Sequence, residues 1–225
     1  MHWLTKEISF PPPQTASEDG LLAIGGDLSI ERILYAYNKG IFPWFNKDEP
    51  ILWWCPDPRF ILLPSEIKVS KSMRQVLKKN EFTVTFDKAF EKVILNCSIA
   101  PRKGQTGSWL TDEMIDSYIQ LYQLGYAHSV ESWKDGKLVG GLYGLSIGKC
   151  FFGESMFTKV SNASKTALIH LAKTLEKKDF SLIDCQSQTN HLASMGAKFI
   201  PRTDFLAILE ANTNETIDLK HRENL

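Results

Sequence analysis

Hydrophobic residues recur with helical spacing in several parts of the chain. Between residues 30 and 37, apolar side chains stand at positions i, i+3, i+4 and i+7, which places them on one face of a helix. Ser29 is a suitable N-cap for this helix, and Gly40 is expected to end it. Similar patterns predict helices over residues 70–79, 87–97 (capped by Asp87) and 162–177, a short helix ending at Gly196, and helices beginning near Thr111 and Thr203.

An alternation of apolar and polar residues in the second half of the chain indicates β-strands. Strands are predicted over residues 128–133, 138–147 and 150–157, and Asp135-Gly136 forms the turn between the first two. Shorter strands are expected at residues 82–86, 181–185 and 198–200. An antiparallel meander followed by helix, strand, helix and strand is typical of an α+β fold.

Residues 41–59 differ from the rest because five Phe and Trp side chains stand among four prolines. Prolines break helices, so this segment is interpreted as an irregular connection near a domain boundary around Asp57. The preceding residues 20–29 are interpreted as a turn that opens the first helix. We therefore expect a small N-terminal domain over residues 1–57 and a larger domain over residues 58–225 that ends in a short polar tail.

The composition excludes several classes of protein. Lys and Arg number 26 and Asp and Glu also 26 among 225 residues, so the formal net charge is zero, and 43% of the residues are hydrophobic. The composition is too apolar for a disordered chain, and the chain lacks the large net positive charge of many nucleic-acid-binding proteins. Neither a membrane span nor a signal peptide is evident, and four scattered cysteines are expected to be free thiols, so a cytoplasmic protein is predicted.

Asp184 and Gln186 are the first candidates for chemistry. They alternate along a predicted strand and therefore share one of its faces. A carboxylate at the end of an apolar strand can act as a general base or bind a cation. The alternative is that Asp184 caps the following turn, and the spacing alone leaves both possibilities open.

Glu154 is the next candidate, because alternation places it on the same strand face as Phe152 and Met156. A carboxylate on such an apolar face needs a cationic or hydrogen-bonded partner. A bound ammonium group or a structural lysine would satisfy this need, and the sequence does not distinguish between them.

Common catalytic motifs are missing from the sequence, including those for phosphate loops, serine hydrolases, zinc proteases and Cys–His nucleophile pairs. The tryptophans of segment 41–59 can provide stacking surfaces for bases, although aromatic residues more often belong to a core. Since nothing requires ATP, a metal ion or a covalent intermediate, we expect no cofactor and no metal. A reaction that depends on positioning and one weak base fits these residues.

Several motifs, taken in order along the chain, resemble those of the bacterial leucyl/phenylalanyl-tRNA–protein transferases. They are GLLAIGGDL (20–28), GIFPWF (40–45), ILWWCPDPR (51–59), GESMF (153–157), NASKTAL (162–168) and DCQ (184–186). The resemblance extends from residue 20 to residue 206.

This resemblance implies the transfer of Leu or Phe, with Met as a further candidate, from the 3′ end of an aminoacyl-tRNA to a protein that begins with Arg or Lys. The product would be marked for degradation through the N-end rule pathway, and a monomer is expected. The implied fold is a small N-terminal domain followed by an acetyltransferase-like (GNAT) domain with a mixed, largely antiparallel sheet.

The resemblance also implies roles for individual residues. Asp184 would hold the acceptor and help to deprotonate its amine, and Gln186 would orient the reacting groups. The residues implied to bind the 3′ end are Trp44, stacked on the terminal adenosine, and nearby Tyr37, Trp109 and Tyr118. The implied amino-acid pocket consists of Leu142, Phe151, Met156, Leu168 and Ile183, with Glu154 near the polar end of the amino acid.

Two other functions remain open at this stage. An acyl-CoA N-acetyltransferase would need a Gly-rich pyrophosphate turn before a helix, and residues 159–165 offer no such turn. An RNA-binding module without enzymatic activity would use the tryptophans and the basic residues between 68 and 79, but it would leave Asp184 and Gln186 without a role.

Overall fold

The computed structural model describes residues 2–100 and 110–213. In chain order the elements are β1 (His2–Leu4), β2 (Leu21–Gly25), α1 (Ile30–Asn38), β3 (Phe42–Pro43), β4 (Leu52–Trp54), β5 (Arg59–Leu62), α2 (Lys71–Lys78), β6 (Thr83–Phe86), α3 (Phe90–Ser98), α4 (Asp112–Gln123), β7 (Ala127–Lys134), β8 (Lys137–Ile147), β9 (Cys150–Thr158), α5 (Ala163–Lys177), β10 (Leu182–Gln186), α6 (Asn190–Ser194), β11 (Lys198–Ile200) and α7 (Arg202–Asn212). Within the described ranges, no helix is long and apolar enough to cross a membrane.

The strands form two sheets. The smaller sheet has the order β1-β2-β4-β3, and the larger one has the order β11-β5-β10-β9-β8-β7-β6. In the larger sheet β9 and β10 run parallel, and the other neighbouring strands run antiparallel. Helices and a mixed, largely antiparallel sheet confirm the predicted α+β class.

The parallel strands β9 and β10 are paired over a short stretch only. Cys150, Phe151 and Phe152 face residues 182–184 in register, and both strands continue beyond that point. A sheet whose neighbouring strands separate leaves space between them, with backbone and side chains from both strands at its walls. A large cavity lies at this place.

Most of the predicted elements are confirmed. Helix α1 begins after Ser29, and the Thr111 hydroxyl accepts a hydrogen bond from the backbone of Met114 at the start of α4. The meander β7-β8-β9 closely follows its predicted bounds. Short strands β6, β10 and β11 and helices α2, α5, α6 and α7 also lie where the patterns place them. The predicted polar tail lies largely outside the described residues.

Three expectations about local structure were wrong. Residues 20–29 and 41–59 contain strands β2, β3 and β4, which have no polar residues and therefore no alternation that would reveal them. Asp87 does not cap α3, which begins after Ala89 without a side-chain cap. Instead both oxygens of the Asp87 carboxylate contact β7. One accepts a hydrogen bond from the backbone of Ser129, and the other lies 2.8 Å from His128 Nδ1.

One hydrophobic core extends across both sheets. Tyr37 and Trp53, from the first 57 residues, belong to the same buried cluster as Phe152 and Leu182 of the larger sheet. Helices α3 and α4 contribute to this cluster, and α5 belongs to a second cluster on the other side of the larger sheet. The large cavity is therefore bounded by residues from both parts of the chain.

Candidate active site

A cavity of about 780 Å³ opens between the smaller sheet and the separated ends of β9 and β10. Its wall is largely apolar, with a few polar side chains in the middle. The lining residues are Asp19, Phe42, Pro43, Trp44, Trp54, Pro56, Pro58, Leu142, Tyr143, Phe151, Gly153, Glu154, Ser155, Met156, Leu168, Leu171, Ile183, Asp184, Cys185, Gln186, Ser187, Thr189, His191, Leu192 and Phe199. An apolar cavity with a few converging polar groups is typical of a small-molecule site.

Asp184 is held by a buried arginine. Arg59 Nε donates to Asp184 Oδ1 at 2.9 Å and Arg59 Nη2 donates to Asp184 Oδ2 at 2.6 Å, and both residues are fully buried. Two parallel charge-assisted hydrogen bonds fix the plane of the carboxylate. Oδ1 also accepts a hydrogen bond from the backbone of Gln186, so that the predicted turn-capping contact exists together with the ion pair.

The guanidinium group of Arg59 lies between two aromatic rings. Its Cζ atom is 4.7 Å from the centre of the Phe42 ring and 4.5 Å from that of Phe205. Burial opposes the charge of Arg59, but the attraction of Asp184 outweighs it and the pKa of Arg59 is raised. Phe42 from the smaller sheet and Phe205 from α7 thus confine the Arg59 guanidinium beside Asp184.

Gln186 stands at an irregularity that the sequence pattern did not reveal. The pairing of β10 with β5 shifts register between Asp184 and Gln186, and Gln186 takes a positive φ of 60°. Simple alternation therefore ends at Asp184, although both side chains line the same cavity. Gln186 Nε2 donates a hydrogen bond of 3.0 Å to Glu154 Oε1, which connects β10 to β9 across the gap.

Glu154 is surrounded by neutral donors. The hydroxyl oxygen of Tyr37 lies 2.7 Å from Oε1, and that of Tyr118 lies 2.9 Å from Oε2. The predicted need for a hydrogen-bonded partner is met in this way, without a structural lysine among the described contacts. Burial raises the pKa of Glu154 to about 7, against the effect of the two tyrosines, which favour the charged form.

The residues predicted for the amino-acid pocket lie together on the cavity wall. Glu154 stands on β9, and the apolar members are Leu142, Phe151, Met156, Leu168 and Ile183. They come from β8, β9, α5 and β10. Leu171, one turn further along α5, completes this apolar end.

The residues predicted to bind the 3′ end occupy different places. Trp44 is 44% exposed at the cavity mouth, and the Trp54 indole donates a hydrogen bond to the Trp44 backbone carbonyl. Tyr37 and Tyr118 are fully buried behind Glu154. They contact Glu154 and not the open space of the cavity. Trp109 lies outside the described residues.

Sequence reasoning missed Arg59 and Asp19. An arginine directly before the apolar stretch FILL indicates a charge at the end of a buried strand, which needs a carboxylate. Asp19 stands on a turn and lines the mouth of the cavity, and no sequence pattern marks it. Burial raises the pKa of Cys150 to about 12 and that of Cys185 further, so neither thiol is a ready nucleophile.

The geometry is suited to a ligand that has an apolar side chain and polar groups beside it. The site combines an apolar side-chain pocket, an aromatic surface at the mouth and a polar group of Asp184, Gln186 and Glu154. In the described ranges, no set of three His, Cys, Asp or Glu side chains could hold a metal ion.

Comparisons with known proteins identify the family. The family model for "Leucyl/phenylalanyl-tRNA protein transferase" matches residues 61–210, and the model for the N-terminal domain of the same family matches residues 26–57. The chain belongs to the leucyl/phenylalanyl-tRNA–protein transferase family, and it is an aminoacyltransferase.

Individual relatives are similar over nearly the whole chain. The leucyl/phenylalanyl-tRNA–protein transferase of Syntrophus aciditrophicus is 58% identical over 92% of this chain and 86% of its own. That of Flavobacterium johnsoniae is 54% identical over 94% of this chain and all of its own. Among solved structures, L-PGS from Bacillus licheniformis covers 76% of this chain and 57% of its own at 13% identity, with a TM-score of 0.39.

Proposed function

We propose that the donors are Leu-tRNA and Phe-tRNA, and that the acceptors are proteins with N-terminal Arg or Lys. The apolar end of the cavity carries the donor part of this proposal, because Leu142, Met156 and Leu168 suit a branched or aromatic side chain without charge. Such a pocket distinguishes ligands by about 1–3 kcal/mol per methylene, so Met is a weaker candidate donor. The modified protein would then enter the N-end rule pathway in the cytoplasm.

Trp44 is the proposed surface for the terminal adenosine of the tRNA. It is half exposed at the mouth, and Trp54 supports it from below at a ring distance of 5.7 Å. Stacking of a base on such a ring contributes about 1–3 kcal/mol. Residues 1–57 would thus form a small domain that holds the adenosine. Residues 58–225 would form a GNAT-like catalytic domain, an assignment that the meander, α5 and parallel β10 support.

The charge of the cavity supports a cationic acceptor. Among its described lining residues there are three carboxyl groups and neither a lysine nor an arginine. Arg59 compensates Asp184 from behind, whereas exposed Asp19 makes no ion pair with any described residue. Gly20 fixes the turn that carries Asp19, since its φ is +92° and a Cβ there would lie 2.7 Å from the Pro56 backbone. Asp19 would bind the Arg or Lys side chain of the acceptor.

The proposed mechanism depends on positioning. An aminoacyl ester is already activated, and an α-amino group with a pKa of about 7.7–8.0 loses its proton readily near neutral pH. Asp184 Oδ1 has two hydrogen-bond donors and Oδ2 has one, so Oδ2 can accept one more from the attacking amine. Asp184 would hold the amine and help to deprotonate it, and Gln186 would orient it towards the ester. One chain supplies all these groups, which supports a monomer.

Labelled Phe-tRNA or Leu-tRNA incubated with an Arg-initiated peptide tests the proposal. Label is expected in the peptide, and Asp184→Asn should abolish transfer while aminoacyl-tRNA still binds. Unlabelled peptide with the wild-type protein would overturn the proposed substrates, and acetyl transfer from acetyl-CoA in a parallel reaction would favour an N-acetyltransferase. Near-normal turnover of Asp184→Asn would contradict its role alone.

The role of Asp19 has a separate test. Asp19→Asn should raise the KM for an Arg-initiated peptide about 5-fold, the effect of about 1 kcal/mol for a solvent-exposed ion pair, with kcat unchanged. A citrulline-initiated peptide, which has the same shape without the charge, should show no difference between the two proteins. Glu18→Gln is the matched control, because Glu18 is an exposed neighbour that does not line the cavity.

A further inference from the structure

Glu154 on the cavity wall and the two phenols behind it, Tyr37 and Tyr118, form a closed triangle of short oxygen–oxygen contacts. Besides the contacts of Tyr37 and Tyr118 with Glu154, the two phenol oxygens lie 2.7 Å from each other. All three separations, 2.7, 2.7 and 2.9 Å, are hydrogen-bond distances for oxygen pairs. Each side of the triangle therefore needs a hydrogen atom between its two oxygens.

The number of hydrogens available depends on Glu154. Each phenol supplies one hydrogen, and burial followed by the charge of Glu154 raises the pKa of both tyrosines well above the ordinary value, so neither phenol ionises. An ionised Glu154 supplies none, which leaves two hydrogens for three contacts. One pair of oxygens would then face each other with lone pairs only.

We propose that Glu154 carries a proton in the unliganded protein, that this proton closes a ring of three hydrogen bonds with Tyr37 and Tyr118, and that the ring loses it when an ammonium group enters the cavity. The ring makes Tyr37 and Tyr118 positioning residues that act through Glu154. The identity of the ammonium group, the amine of an aminoacyl-tRNA or of an acceptor, rests on the proposed function.

The direction of the ring follows from Gln186. Its amide donates to Glu154 Oε1, so Oε1 is the carbonyl oxygen and the proton is on Oε2. Glu154 Oε2 then donates to Tyr118, Tyr118 donates to Tyr37, and Tyr37 donates to Oε1. Every hydrogen is used once, and Oε1 accepts twice, as a carbonyl oxygen can.

The charged surroundings of Glu154 agree with a neutral resting state. Asp184 lies close enough for its negative charge to disfavour a second one, and burial has the same effect on the pKa of Glu154. The ionisable groups that face the ring are Tyr37 from α1, Tyr118 from α4, Tyr143 from β8 and Asp184 from β10, with Arg59 of β5 bound to Asp184. An ammonium ligand favours the ionised form of Glu154, because its positive charge attracts the carboxylate. The proton of Glu154 then leaves to solvent.

Infrared spectroscopy tests the ring without any ligand. At about pH 6, below the pKa of Glu154, the wild-type protein should show the C=O band of a protonated carboxyl group, and Glu154→Gln should lack it. Tyr118→Phe opens the ring and should move the band. Tyr122→Phe should leave it in place, because the Tyr122 hydroxyl donates elsewhere, to the Asp87 carbonyl. A wild-type spectrum without the band at this pH would overturn the ring.

Calorimetry tests the release of the proton. The probe is phenylalanyl-adenosine with an amide in place of the ester, titrated at about pH 6, where its amine is charged, in two buffers of different ionisation enthalpy. Wild-type protein should release nearly one proton per complex, whereas Glu154→Gln should release none. The deaminated probe, 3-phenylpropionyl-adenosine amide, should also release none from the wild type.

The two experiments separate the proposals from each other. Binding without proton release would overturn the coupling to the ammonium group, even if the infrared band is present. A probe that does not bind would contradict the proposed donor site and the coupling that rests on it, and the infrared result would still decide whether the ring exists.

Discussion

Two carboxyl groups, Asp184 and Glu154, face one cavity and have different partners. Asp184 is bound by the buried guanidinium group of Arg59, so a positive charge lies directly against its carboxyl group. Glu154 is hydrogen-bonded to two phenols and an amide, which are uncharged groups. The comparison shows how adjacent strands of one sheet can hold one carboxyl group against a buried cation and another that exchanges a proton near neutral pH.

Among the partners of the two carboxyl groups, Arg59 should contribute most to the free energy of unfolding. Replacing Arg59 by Met leaves Asp184 buried without compensation, and we expect the free energy of unfolding to fall by about 3–5 kcal/mol. Denaturation in urea measures this loss. The double variant Arg59→Met/Asp184→Leu should recover most of it, since it removes the stranded charge. A loss below about 1 kcal/mol for the single variant would contradict this prediction, because it would show that the buried pair contributes no more than a surface ion pair.

Glu154 should make stability depend on pH, with a defined sign. The pKa of Glu154 is raised from 4.5 to about 7 on folding, so the folded state binds the proton more tightly. Its contribution is present in full below pH 4.5 and is lost as the pH rises through about 7, a change of about 3 kcal/mol. The difference in unfolding free energy between wild type and Glu154→Gln, followed from pH 4.5 to pH 8, isolates this contribution. A difference that stays constant with pH would contradict the raised pKa.

The loss of one uncharged hydrogen-bonding hydroxyl should lower the free energy of unfolding by less. Tyr118→Phe removes the hydroxyl of a fully buried residue and Tyr122→Phe that of a half-buried one, and each should lower the free energy of unfolding by about 1 kcal/mol. The two variants separate in their pH dependence, because Tyr118 touches Glu154 and Tyr122 does not. Chemical denaturation at two pH values on either side of pH 7 distinguishes them. Equal pH profiles would show that Tyr118 has no influence on the ionisation of Glu154.

The smallest effect is expected for an ion pair on the surface with a similar N–O distance but a single contact. Lys198 Nζ lies 2.7 Å from Glu66 Oε2, as close as the buried pair, but both side chains are about half exposed. Lys198→Met should change the free energy of unfolding by about 1 kcal/mol or less. Added salt should reduce that effect further and should leave the effect of Arg59→Met nearly unchanged. An effect as large as that of Arg59→Met would show that burial is not the cause of the difference.

The sequence predicts the longer elements well and the site only in part. Helices α1, α4 and α5 and the meander follow from spacing because each buries one face over many residues. Strands β2, β3 and β4 do not, since they contain no polar residue and therefore show no alternation. Their pairing depends on partners that are distant in the chain.

Within the site, predictability depends on the range of the interaction. Glu154 could be chosen because a carboxylate on an apolar strand face needs a partner, but no local pattern names Tyr37, which is 117 positions away. Arg59 and Asp184 are similarly separated by 125 positions. The bulge at Gln186 could not be foreseen either, because a positive φ at a glutamine has no sequence signal.

The shared core of the two sheets has a consequence for how the protein loses activity. Tyr37 reaches Glu154 only when the first part of the chain is packed against the larger sheet, and Phe42 closes over Arg59 in the same step. Assembly of the site and docking of the two sheets are thus one cooperative event. As denaturant is added, catalysis and the burial of Trp53 should disappear together, so that enzymatic activity reports the integrity of the whole molecule and not only that of its cavity.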